Sequence, residues 1–179
     1  MIDNYLQSVQ FEFQRYKALG DKTIYQLSEK QLHWQFQETD NSIALIVKHV
    51  VGNMLSRWTN FLTEDGEKRW RNRESEFTNP SKSKQEIIAY WQKGWNCLFE
   101  ALHSIDKSNF DSVIYIRGEA HTIIEALNRQ LAHYANHVGQ IVLLGKMIKG
   151  INWVSLSIPK GESNNFNETM SNRESTKDS

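Results

Sequence analysis

From Ile124 to Ile141 the residues Ile124, Leu127, Leu131, Tyr134, Val138 and Ile141 follow one another at steps of 3, 4, 3, 4 and 3. Only an α-helix gathers such positions on one side; a strand would scatter them over both faces. Alternating steps of three and four also make the seam by which helices pack nearly parallel to one another. A helix from about His121 to Ile148, ended by Gly150, therefore needs helical partners.

The rest of the chain supplies them. Ile43, Val47, Val50, Met54, Trp58 and Phe61 step by 4, 3, 4, 4 and 3, which predicts a helix from Asn41 or Ser42 to about Leu62. Ile87, Tyr90, Trp91, Trp95, Leu98, Phe99 and Leu102 predict another between about Ser83 and Ile105. Residues 3–19 carry Tyr5, Val9, Phe13 and Tyr16 at helical spacing, with Gly20 as the expected stop. Ser28 opens a short further turn of helix. Between the second and third long helices, TEDGEKRWRNRESEFTNPS breaks the periodicity and reads as a long charged connection over 63–81. DSVIYIRG alternates and predicts a short extended piece near 111–117. The expected fold is all-α, a four-helix bundle over 1–160, followed by a polar tail over 161–179.

Composition narrows the function classes. With only 9 Gly and 2 Pro, an all-β sandwich or barrel lacks its turn residues. A single cysteine, Cys97, cannot close an internal disulfide, and burial among Trp95, Leu98 and Phe99 suits it better than a nucleophile's role. Lys+Arg 21 balances Asp+Glu 21, so the basic surplus of a general nucleic-acid binder is absent. The one basic patch, KRWRNR at 68–73, is flanked by Glu64, Asp65, Glu67, Glu74 and Glu76. No signal-peptide core and no run of about 18 apolar residues occurs, so the expected setting is soluble and cytoplasmic, without membrane or nucleic-acid partners.

Three of the 6 histidines form a constellation. His133 and His137, four apart in LAHYANH, share one helix face and can aim both imidazoles at one ion. Their stripe, with Ala126, Gln130 and Gln140, borders the apolar seam. His49, set in IVKHVVGNM between seam residues Val47 and Val50, can complete a triad if the second and fourth helices are neighbours. Tyr134 follows His133 where a zincin would carry Glu, so the metalloprotease motif is not present. Three neutral ligands leave a position open for water or a thiolate, as catalytic zinc sites do. Around them, Asn53 one turn after His49 is a candidate for orienting a ligand or water. Arg129 and Gln140 are candidates for the pocket mouth, Arg129 having a surface pair with Glu125 as its alternative.

A histidine in the second helix and an H-x-x-x-H in the fourth resemble the metal-binding triad of the DinB/YfiT-like superfamily. The stretch RGEAHTIIEALNRQLAHYANHVGQIVLLGK, followed by WVSLSIPKGESNNFN, is similar to one branch of it, and the likeness extends over the chain to about Asn167. The resemblance implies a commonly dimeric four-helix bundle with a divalent metal, Zn, Ni or similar, on His49, His133 and His137. It also implies, by analogy with some relatives, a thiol-dependent transferase using a low-molecular-weight thiol, or a metal-dependent hydrolase, acting on a small molecule. The contrasting expectation is a non-catalytic dimeric binding or regulatory bundle with a structural or vestigial metal site. Homodimerisation is expected through aromatic surface of the first or third helix, since 6 Trp are many for so small a bundle to bury.

Overall fold

The computed structural model describes residues 2–78, 82–159, 161–167 and 169. It is mostly helical. In chain order come α1 (Ile2–Gln26), the single turn α2 (Glu29–Leu32), α3 (Ile43–Trp58), a 3₁₀ turn (Glu74–Phe77), α4 (Lys84–His103), strands β1 (Val113–Ile116) and β2 (Glu119–Thr122), and α5 (Ile123–Lys149). The four long helices share one core, with α3 packed most extensively on α4 and α1 on α5. Among the described residues no helix is long and apolar enough to cross a membrane. Residues 170–179 of the expected polar tail lie outside the described residues.

Local chemistry sets the helix starts. Ser42 accepts from the Leu45 amide at the head of α3, while Ser83 with Glu86 and Thr122 with Glu125 form reciprocal capping boxes on α4 and α5. Two ends depart from expectation. α1 does not stop at Gly20 but runs on to Gln26, because the missing side chain lets Trp91 of α4 approach: a Cβ there would stand 2.5 Å from Trp91 Cζ2. The neighbouring Asp21 then accepts the Trp91 indole N–H at 2.8 Å. α3 ends at Trp58 instead of Leu62, since Asn60 takes a left-handed conformation (φ 49°) that no helix continues; Phe61 is buried all the same.

The extended piece near 111–117 is one arm of a hairpin. Ile116 pairs with Glu119 across Arg117 and Gly118, both at positive φ (59° and 75°), as a two-residue type I′ turn requires. Ile114 and Ile116 point inward while Val113 and Tyr115 stay exposed. The connection after α3 is tied to this hairpin: Asp65 accepts from the amides of Arg117 and Gly118, and the Gly66 amide donates to the Tyr115 carbonyl.

The core places α3 at its centre, buried almost all round. Phe13, Trp95 and Tyr134 meet ring to ring from α1, α4 and α5. Trp91 and Trp95 are fully buried, and the exposed aromatics among the described residues are Phe11, Tyr25, Trp34, Phe36, Trp70, Phe77, Tyr115 and Phe166. On α5 the inward line is turned slightly from the expected seam. Ile123, not Ile124, is buried, as are Ala126, Leu127, Gln130, Tyr134, Val138 and Ile141. That turn swings the stripe carrying His133 and His137 from the border of the seam toward α3.

Candidate metal centre

His49 comes from the middle of α3; His133 and His137 come from successive turns of α5. Their Nε2 atoms converge. His133 Nε2 lies 3.4 Å from His49 Nε2 and 3.1 Å from His137 Nε2, and one nitrogen from each ring lies within 4.8 Å of the others. Three nitrogens each about 2.0–2.1 Å from a tetrahedral ion would be about 3.3 Å apart. The observed separations bracket that edge. A single proton can bridge only two of these lone pairs, whereas one cation answers all three, so these residues could hold a metal ion. His49 is buried and the α5 pair is half-buried.

The two imidazoles on α5 are kept neutral by their surroundings. Burial, then repulsion from His137 and His49, pushes the His133 pKa down to about 3. Burial also lowers that of His137, with Gln140 beside it opposing the shift. Neutral rings are the form that ligates.

Around His49 stands a set of residues that spacing does not reveal. Its Nδ1–H donates to Glu76 Oε2 at 2.9 Å, and Arg71 donates to both oxygens of the same carboxylate, at 2.8 and 3.1 Å. Burial alone would raise the Glu76 pKa, but the hydrogen bonds from His49 and Arg71 outweigh it and hold the carboxyl below its ordinary range. The next residue, Phe77, stacks on the His49 ring at 5.1 Å between centroids. Both belong to the 3₁₀ turn, which Lys48 fastens to α3 through the carbonyls of Ser75 and Thr78. Gly52, one turn after His49, makes the space: a Cβ there would lie 2.5 Å from Glu76 Oε1. Glu76 and Arg71 fall in the stretch expected to be a solvated connection, yet Glu76 is buried and the Arg71 side chain is shielded from solvent.

The other candidates sort by position. Asn53 is buried, but its Oδ1 accepts from the Tyr134 hydroxyl at 3.0 Å, and that hydroxyl accepts the Trp58 indole N–H at 3.1 Å. It thus steadies the residue beside His133 and makes no hydrogen bond to a ligand ring. Gln140 is adjacent to His137. Arg129 is exposed, and its expected pair Glu125 is engaged in the Thr122 cap. His33 bonds the Lys82 carbonyl at 2.8 Å, His121 lies on β2, and His103 is exposed at the end of α4. Cys97 is half-buried beside Thr59, and burial pushes its thiol pKa up, away from a reactive thiolate.

The sequence model of a family described as a protein of unknown function, DUF1572, matches residues 1–162. No curated protein and no solved structure matches the chain.

Proposed function

We propose, for a chain that belongs to the DUF1572 family, a metal-binding protein of the DinB/YfiT-like four-helix-bundle kind. In this reading His49, His133 and His137 hold one divalent ion, zinc, nickel or similar, through their Nε2 atoms. The observation that carries it is the convergence of those three nitrogens at 3.1 and 3.4 Å from a shared member. The H-x-x-x-H spacing on α5 and the packing of α3 against it supply the scaffold.

The reaction class is metal-assisted transfer or hydrolysis on a small molecule. A bound divalent ion would lower the pKa of a water or a low-molecular-weight thiol and offer it as a nucleophile at neutral pH. The chain's own part is to keep the two α5 imidazoles neutral and to exclude water behind the cluster with the buried Tyr134 and Trp58. A set of three protein ligands favours a catalytic over a purely structural ion, since structural sites fill their fourth position with protein.

Metal analysis of untagged protein tests the reading. Wild type equilibrated with Zn²⁺ or Ni²⁺ at about pH 7.5 should retain about one equivalent, as a single site of this kind does. His133→Ala and His137→Ala should lose most of it, and His33→Ala should keep it. Retention below about a tenth of an equivalent by wild type would remove the metal and, with it, the enzymatic reading.

A further inference from the structure

We infer that Glu76, gripped by Arg71 and seated over Gly52, is a positioning residue that sets the ring orientation and tautomer of His49 for the metal. The inference rests on the metal-site reading above and adds to it a residue from outside the two ligand-bearing helices.

Four observations converge on one imidazole. An ionised carboxylate can only accept, so the 2.9 Å bond from His49 to Glu76 puts the proton on Nδ1 and leaves the Nε2 lone pair facing His133. Arg71, its side chain only 1% exposed, engages both carboxylate oxygens and keeps Glu76 in its anionic, accepting form. Phe77, adjacent in the same 3₁₀ turn, covers the face of the ring whose edge Glu76 holds. Lys48 pins the turn from the residue before His49. A purely structural ion pair between Arg71 and Glu76 would need neither the histidine nor the cleared space at Gly52.

The three ligands are therefore not equivalent. Neither His133 Nδ1 nor His137 Nδ1 has a partner among the described residues. Those two rings take their orientation from the rigid helix and from each other, with Gln140 beside His137. His49, alone on α3, takes its orientation from the carboxylate, which also makes its Nε2 the more basic donor. Carboxylates bonded to ligating histidines typically contribute 10–100-fold to metal affinity.

The test is a titration of metal-free protein with Co²⁺, followed by visible ligand-field absorption, with Zn²⁺ competition giving the affinity. Glu76→Ala should weaken binding by about 10–100-fold and alter the cobalt spectrum. Glu76→Gln should fall between Glu76→Ala and wild type, because its amide oxygen still accepts the Nδ1–H but brings no charge. Gly52→Ala should weaken binding with all three ligands and the carboxylate still in the sequence, by pushing Glu76 out of its seat; it carries the test if Glu76→Ala fails to fold. Far-ultraviolet circular dichroism and melting of the metal-free variants monitor folding. If these variants lose stability yet bind Co²⁺ with the wild-type affinity and spectrum, Glu76 is structural and the inference is overturned while the metal site stands. If wild type binds neither ion, the metal site itself falls, and the inference with it.

Discussion

His133 is where burial and charge oppose each other most sharply. In an unfolded chain its imidazole takes up a proton near the ordinary value of about 6.5; in the fold it resists down to about 3. Between those values the unfolded state binds more protons than the native state. The stability tied to a neutral His133 is thus complete above about pH 6.5 and drains away as the pH falls toward 3. Melting of the metal-free protein should show a midpoint declining through this window, and His133→Ala should flatten the decline; an equally steep variant would contradict it. Tyr134, next in sequence, supports a second expectation. Tyr134→Phe strips the hydroxyl that joins Trp58 to Asn53, leaving two buried polar groups without that partner, at a cost of about 1–3 kcal/mol by denaturant titration. The clustering of the three histidines was legible because helical spacing is a direct map of side-chain direction, and because His49 stands polar among valines. Glu76 and Arg71 were not. Each sits in a stretch rich in identical charges, and nothing local distinguishes the one carboxylate that a distant histidine will bury.

The elements themselves follow the apolar spacing wherever it is regular, and depart where contact with another element decides. Gly20 looks like a helix end by its own chemistry, and only Trp91, 71 residues on, turns it into a crossing point. Gly20→Ala should therefore destabilise the protein, although alanine is the better helix former by about 1 kcal/mol. Overpacking against a buried indole costs about 1–3 kcal/mol, so the midpoint should fall; a rise would show that Trp91 can move aside. β2 was invisible because EAHT has no apolar alternation to betray it, its burial being almost wholly exposed. The signal that could have found it is the Arg-Gly pair after VIYI, a turn that folds the chain back on itself. The slight rotation of the α5 seam has the same origin: Ile123 and Ile124 are the same residue type, and only packing against the neighbouring helices chooses between them.

At the scale of the whole molecule, the candidate ligands join α3 to α5, so an ion bound there should stabilise the entire fold. At a free concentration of about 100 times the dissociation constant the gain is about 2.7 kcal/mol. For a domain of this size that is about 5–11 °C in melting temperature, at 2–4 °C per kcal/mol. Zn²⁺ should raise the midpoint of wild type, a chelator should reverse the rise, and His137→Ala should show neither change. The distance along the chain between His49 and His133, 84 residues, has a further consequence for biosynthesis. At about 5–20 residues per second a ribosome needs roughly 4–17 s to travel from one to the other. Throughout that interval the nascent chain holds one imidazole of the three, and the pair that completes the set has not been made. If the set binds an ion, capture must wait for α5, and the choice of metal would fall to the finished geometry of the protein and not to whichever cation is most abundant around the growing chain.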